Sequence, residues 1–331
     1  MKRPRWTVSI VGLVLAAGAG VLLLALVSSD NDSGKRAGGG FVATRTAAGQ
    51  VVGAPIPVGH SPSGLAPGAS VMWVANEADE TLVGIDPALN DVVGEPVHVG
   101  GRPRHLTTGA GSVWVSSLDS DVVTRIDPAG RRRVSITVGD SPAGVAPAPA
   151  SMWVVNQDDD TVMRIDPRTS RTVGDPIRVG ETPTTVIFAA ESIWVSNVDD
   201  DTLSRINPRS KRVMKTIRVG DQPLGLAAGG GSIWVSNRED DTVMRIDPAT
   251  NRVVRTIRVG DRPLYLKVAE QAVWVPNSGD GTVSRIDTET NRRVGRPLRV
   301  GRSADRIAIG FGSVWVTSAA DGTVTRINAQ G

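Results

Sequence analysis

Few side chains in this chain are equipped for bond-making chemistry. Three histidines, His60, His98 and His105, all fall in its first third, and there is no cysteine. A thiolate metal site, a cysteine nucleophile and a disulfide framework are thereby excluded. No Gly-x-Ser-x-Gly elbow is present to carry a serine hydrolase triad. Carboxylates are plentiful, but their spacing matches neither an EF-hand loop nor a glycine-rich nonapeptide calcium repeat. No catalytic residue, cofactor or metal is therefore expected, and binding is the chemistry to look for.

The most informative positions are those where single copies of a repeated phrase leave the consensus. The phrase is Val-Gly-x-x-Pro. Two residues after its proline the copies read Gly64, His105, Gly144, Thr185, Gly225, Tyr265 and, where the proline is lost, Arg306. Arg104, Arg262 and Asp305 lie beside this column. If the column lines the mouth of a channel, Arg104, His105, Arg262, Tyr265, Asp305 and Arg306 form a polar site for an anionic or polar ligand.

A second candidate is an acidic surface. The loops that hold Asp158, Asp159 and Asp160, then Asp199, Asp200 and Asp201, then Glu239, Asp240 and Asp241, are the densest of seven equivalent loops. Arginines gather instead in the following turns, as at Arg168, Arg171, Lys211, Arg212, Arg292 and Arg293. A protein or small-ligand partner on the acidic face is the expectation, although aspartate also favours tight turns for purely local reasons.

The elements that position these residues follow from a repeat. Tryptophans stand at 73, 114, 153, 194, 234, 274 and 315, a period near 40 residues. Each is embedded in one phrase, for instance SIWVSNREDDTVMRIDPATNRVVRTIRVG over residues 232–260. Val, Ile and Thr runs punctuated by Gly, Pro, Asn and Asp predict four strands per copy, here a over 224–228, b over 233–236, c over 242–246 and d over 252–259. Four strands per 40-residue unit define a propeller blade. The first d strand, residues 51–58, precedes the first full a–b–c set, and the last set, ending at residues 323–327, lacks a d strand. Docking one on the other closes a ring of seven blades and hides the sheet edges. The fold class expected is all-β, a seven-bladed β-propeller with four-stranded blades closed by an N-terminal outer strand. The tryptophans are expected to pack between blades. The Arg-x-Asp pairs of strand c (Arg125/Asp127, Arg164/Asp166, Arg245/Asp247, Arg285/Asp287) are expected to place the arginine on a neighbouring carboxylate and the aspartate on the turn that follows.

With WVSN, TVMRID and VGDQP, the chain resembles the YVTN-repeat, or YncE-like, β-propellers over about residues 41–331, tryptophan replacing the family's usual tyrosine in all seven copies. The resemblance implies a propeller in a cell-envelope setting and no particular reaction. Streptogramin (virginiamycin B) lyases are also seven-bladed propellers, and that resemblance implies a magnesium-assisted elimination using histidine and glutamate in late blades. No histidine follows residue 105 here, so a non-catalytic binding or scaffold module is the expected function and a lyase-like enzyme the alternative. An extracytoplasmic sensor working with a separate signalling partner is a further alternative.

The N-terminus sets the compartment. Residues 6–27 carry no charge, and 22 residues at about 1.5 Å each span a hydrocarbon core about 30 Å thick. Lys2, Arg3 and Arg5 precede them, which puts residues 1–5 in the cytoplasm and the rest outside. A transmembrane signal-anchor at 6–27, a glycine-rich tether at 28–49 and the propeller at 50–331 are the expected domains. The competing reading is a cleaved signal peptide and a secreted protein, although the apolar core exceeds the usual length of about 7–15 residues. Residues 1–40 hold five basic and two acidic side chains, leaving 32 of each in the remainder. A neutral globular part argues against nucleic acid as a partner.

Overall fold

The computed structural model describes residues 49–127 and 132–329. Residues 1–5, 6–27 and all but the end of 28–49, read above as stub, membrane helix and tether, lie outside the described residues. Among the described residues no helix is long and apolar enough to cross a membrane.

The described chain is a ring of seven antiparallel blades, each with four strand positions. In blade 5 the strands are a, Pro223–Gly229; b, Ser232–Asn237; c, Thr242–Asp247; and d, Arg252–Arg258. The expected boundaries differ by one residue or so, because the ladders extend into the flanking Pro, Asn and Asp. Blades 6 and 7 depart further. Their a strands shorten to Lys267–Ala269 and Ile307–Gly310, so Tyr265 and Arg306 sit on irregular chain just ahead of the ladder. Strand d of blade 3 is split into Arg171–Thr172 and Ile177–Arg178 by Gly174 and Pro176.

Closure follows the expected route. Ile56–Pro57 pairs antiparallel with Thr323–Asn328, in register Ile56 to Val324 and Pro57 to Thr323, and Val51 bridges Ile327. Backbone bonds from the Gly49 and Val52 N–H groups to the Asn328 and Arg326 carbonyls extend the seam. Ile56 and Val58 are buried there, beside Trp315 of blade 7 and Val74 of blade 1.

Six of the seven tryptophans are buried between blades, Trp194 for example among Leu203 and Ile217 of its own blade and Leu226 and Ile233 of the next. Trp73 is only half-buried. The arginine of strand c corrects the expectation made for it. Among the described residues it forms no ion pair with a carboxylate. In blades 2, 4, 5, 6 and 7, as cross-strand partner of the tryptophan, it lies over the ring instead, 4.9 Å from the centroid for Arg205 on Trp194. Trp153 is fully buried without such a contact, and the Nε of its partner Arg164 has no hydrogen-bond acceptor. The Arg205 Nε donates to a serine on strand b, Ser192 at 2.9 Å, and its Nη1 donates to the Pro248 carbonyl and Asn251 Oδ1 of the next blade. Arg125, Arg245 and Arg326 repeat this reach to the following blade. Blade 1 has Gly84 opposite Trp73, and Val71 in place of the serine. The strand-end aspartates do cap their turns: Asp247 Oδ1 accepts the Ala249 N–H at 2.8 Å.

Candidate ligand site in the central channel

Strand a of each blade lines the axis, and the column of exceptional residues converges on it. The axial cavity encloses about 400 Å³ and is lined by His105, Tyr265 and Arg306 among mostly small and apolar neighbours. Three of the glycines in the column are obligatory. A Cβ on Gly225 would lie 2.6 Å from the Leu264 carbonyl oxygen, and those on Gly64 and Gly144 would meet the backbone of blades 2 and 4 as closely. Blades 1, 3 and 5 thus press their backbone on the next blade, and only the other four have room for a side chain.

Arg306 is 8% exposed, and its guanidinium lies over the Tyr265 ring, 3.3 Å from the centroid. Among the described residues it forms no ion pair with a carboxylate. Burial lowers its pKa to about 10, reinforced by the charge of Arg104 and opposed by Tyr265 and by the carboxylates of Glu77 and Asp305. Lys267, which the sequence reading missed, stands two residues beyond Tyr265 in the same wall. It too lacks an ion pair, and burial followed by the charge of Arg306 pushes it below its ordinary range. Its equivalents are Ala66, Thr107, Ala146, Ile187, Ala227 and Ala308, so a lone lysine in an otherwise uncharged column was the available signal. His105 accepts the Val145 N–H at Nδ1, 3.3 Å away. Burial, then the charges of Arg306 and Lys267, hold its pKa well below normal, so the ring is neutral near pH 7 with Nε2 as its donor.

Of the remaining candidates, Arg104 and Asp305 line a side recess of about 180 Å³ that shares Tyr265 and Arg306 with the channel. Asp305 is occupied by Ser303 Oγ at 2.6 Å and the Ala319 N–H at 2.7 Å. Arg262 does not join the site. It is exposed in a turn, with its backbone N–H bonded to Asp241 Oδ1 at 2.9 Å.

The acidic loops have a structural assignment. The middle acid of each dense loop accepts a backbone N–H at the turn entering its own blade: Asp159 from Asp140, Asp200 from Glu181 and Asp240 from Asp221, at 2.8–2.9 Å. The third acid does the same for the next blade, Asp160 to Thr182, Asp201 to Gln222 and Asp241 to Arg262. That third position has φ near +55° in Asp160, Asp201 and Asp241, and is glycine in blades 6 and 7, as Gly281 and Gly322. Asp158 and Asp199 accept from the Ser141 and Thr182 hydroxyls, while Glu239 lies 3.7 Å from Arg238. Aspartate recurs here because it caps and tolerates the left-handed conformation. Among the described residues no group of three His, Asp or Glu side chains converges to hold a metal ion.

The fold and the axial site together define a seven-bladed β-propeller with a cationic, aromatic-walled channel. Solved structures of the same architecture include a streptogramin B lyase, at 14% identity and TM-score 0.72, covering 81% of this chain and 93% of that one. A selenomethionine-substituted virginiamycin B lyase from Staphylococcus aureus matches at 15% identity and TM-score 0.72, covering 81% and 95%. Hydrazine synthase of Kuenenia stuttgartiensis matches at 14% identity and TM-score 0.72, covering 87% and 99%. At these identities the likeness is one of fold. No protein-family model and no curated protein matches the chain.

Proposed function

We propose that this chain is a non-catalytic binding module of the cell envelope, a YVTN-like propeller held outside a membrane by residues 6–27, which captures an anionic ligand in its central channel. The observation that carries the reading is the guanidinium of Arg306, nine-tenths buried in one wall with Lys267, neither of them in an ion pair among the described residues. Two like charges in one wall are costly, and an anion between them relieves both their repulsion and their desolvation. Tyr265 supplies a flat face and His105 Nε2 a neutral donor.

The test is calorimetric titration of the full-length protein, in detergent, with inorganic phosphate and with citrate. Changing His105, Tyr265 and Arg306 to glycine, threonine and glycine installs residues that other blades carry in this column. Capture of the better anion should fall at least tenfold, about 1.4 kcal/mol, with the melting temperature little changed. Unchanged capture by the folded triple variant refutes the site. Protease added to intact cells should release the propeller by cutting within residues 28–49, and protection until lysis would refute the topology.

A lyase-like elimination is the second reading, favoured by the fold shared with the streptogramin B lyase. Against it, the lone pair of His105 Nδ1 is already engaged by Val145, which leaves Nε2 a donor rather than a base. Turnover of a streptogramin B substrate by the full chain would overturn the non-catalytic assignment.

A further inference from the structure

The outer strands of the blades are not alike. In blades 1, 3, 6 and 7 the d segment contains Val-Gly-x-Pro, at Gly94 and Pro96, Gly174 and Pro176, Gly295 and Pro297, and Gly53 and Pro55. The four glycines have φ between +69° and +79°; in blades 3, 6 and 7 the d segment is reduced to two-residue strands, and in blade 1 it runs from Asp91 to His98 through a shift of register, with Pro96 in the edge and two acids, Asp91 and Glu95. Blades 4 and 5 have neither the glycine nor the proline, only a one-residue bulge at Met214 and at Val254. Their d strands, Arg212–Arg218 and Arg252–Arg258, run seven residues, each paired on one side only, as the last strand of its sheet. These neighbouring strands also hold four of the seven large exposed hydrophobics among the described residues, Val213, Met214, Val253 and Val254, with Met214 48% and Val254 51% exposed. Their charged residues are all basic: Arg212, Lys215 and Arg218 on one, Arg252, Arg255 and Arg258 on the other. The nearest acid to any of them in an ion pair is Asp201, 3.8 Å from Arg218.

An edge without proline, as these strands have over Lys215–Arg218 and Arg255–Arg258 beyond the bulge, offers free N–H and C=O groups to an extended chain. The charges decide which chain. A second copy adding antiparallel to Arg252–Arg258 would set arginines against arginines, and like charges placed opposite each other destabilise a pair. A strand bearing carboxylates reverses that sign at every third position, while its apolar residues cover Val254 or Met214. We propose that the edges of blades 4 and 5 dock an extended acidic peptide segment of a partner protein by strand addition. This surface lies on the rim of the ring and is independent of the channel site.

The Val259 N–H donates inward to the Asp241 carbonyl, and Val219 does the same to Asp201. Alternation along the strand then turns the N–H of Thr256 and of Thr216 outward. Thr216→Pro with Thr256→Pro therefore removes donors for an added strand while sparing the blade's own ladder. The probe is a capped seven-residue peptide with glutamate at positions 1, 4 and 7 and valine between them, measured by fluorescence anisotropy on the full-length protein, with its lysine-for-glutamate counterpart as control. The acidic peptide should bind at least tenfold more tightly than the basic one, and the proline pair should abolish that binding. Changing Arg252, Arg255 and Arg258 to glutamate, with Arg212, Lys215 and Arg218, should reverse the preference, and this arm decides the matter should the proline pair unfold the protein. No binding of the acidic peptide, binding indifferent to the prolines in a folded variant, or no reversal by the charge swap overturns the proposal. Adsorption of the protein to phosphatidylglycerol vesicles without peptide binding would also overturn it, assigning these strands to a lipid surface.

Discussion

Replacing one buried tryptophan and the half-buried one by alanine separates packing from the arginine clamp. Trp194 is fully buried, donates its indole N–H to the Ala189 carbonyl at 3.0 Å, and carries the Arg205 guanidinium on its face. Trp194→Ala removes the ring, strands the Ala189 carbonyl and leaves Arg205 without the platform from which it reaches Pro248 and Asn251. Deletion of a large buried aromatic costs about 3–5 kcal/mol, and a lost hydrogen bond and cation–π contact place this site toward the upper end. Trp73 is half-buried and faces Gly84, so Trp73→Ala loses only part of the transfer energy, roughly 1.5–2.5 kcal/mol. Guanidinium titrations of both full-length variants, followed by far-ultraviolet circular dichroism, measure the difference. Equal losses, or a loss under about 1 kcal/mol for Trp194→Ala, would refute the clamp and reopen a ligand-stacking role for the rings.

Three further outcomes follow from the geometry. A chain beginning at Gly64 lacks Ile56 and Val58 and exposes the edge of Thr323–Asn328, so it should aggregate or melt well below a chain beginning at Phe41; equal melting of the two would sink the closure seam. The Arg302 N–H and Ser318 hydroxyl hold the Asp321 pKa down, to about 2, below its ordinary value of 3.8. Asp321→Ala should therefore melt lower than the parent above pH 4, and the gap should close as the pH falls through about 2, where the parent's carboxylate takes up its proton; a gap that persists at pH 1.5 contradicts the cap. Capture of sulfate, whose own charge is constant over this range, should show no break near pH 6.5, because burial holds His105 well below its ordinary range, and should fail as the pH rises through about 10, where Arg306 gives up its proton. A break near pH 6.5 with this anion would show that the histidine charge matters after all.

The ring, its blade count and its closing strand were legible because they rest on periodic features: a tryptophan about every 40 residues, and an outer strand left over at one end and missing at the other. The site was half legible. His105, Tyr265 and Arg306 stood out as breaks in a glycine column and do meet in the channel. Lys267 escaped because its own column was not compared from blade to blade. Arg262 was drawn in by its nearness in sequence to Tyr265, whereas it stands exposed in a turn and lines neither the channel nor the side recess. The acidic loops show the converse difficulty: the surplus of charge was plain, but its use, capping the N–H groups of turns one position or one blade away, depends on contacts between loops about 20 residues apart. The arginine of strand c was misjudged for a similar reason. Its neighbours in sequence suggested a carboxylate, and the pleat gave it an indole face instead.

The arginine clamps are unevenly distributed round the circle. Bonds of this kind join blade 2 to 3, 4 to 5, 5 to 6, and 7 to 1, the last through Arg326 to the Pro87 carbonyl at 2.6 Å. The junction where the two ends of the chain meet is thus riveted. Blade 1 has Gly84 where the others have the arginine, and it is tied to blade 2 by Arg102 to Glu77 at 2.7 Å and by the Ser63 hydroxyl to the Pro103 carbonyl at 2.9 Å instead. In blade 3 the arginine is present but unused: the Nε of Arg164 has no hydrogen-bond partner. A belt of this design does not fail at its buckle. Under heat or tension it parts first at a missing stitch, and amide exchange in strands Thr161–Asp166 and Pro183–Ala189, on either side of the unriveted junction between blades 3 and 4, should run ahead of that in the closing strand Thr323–Asn328.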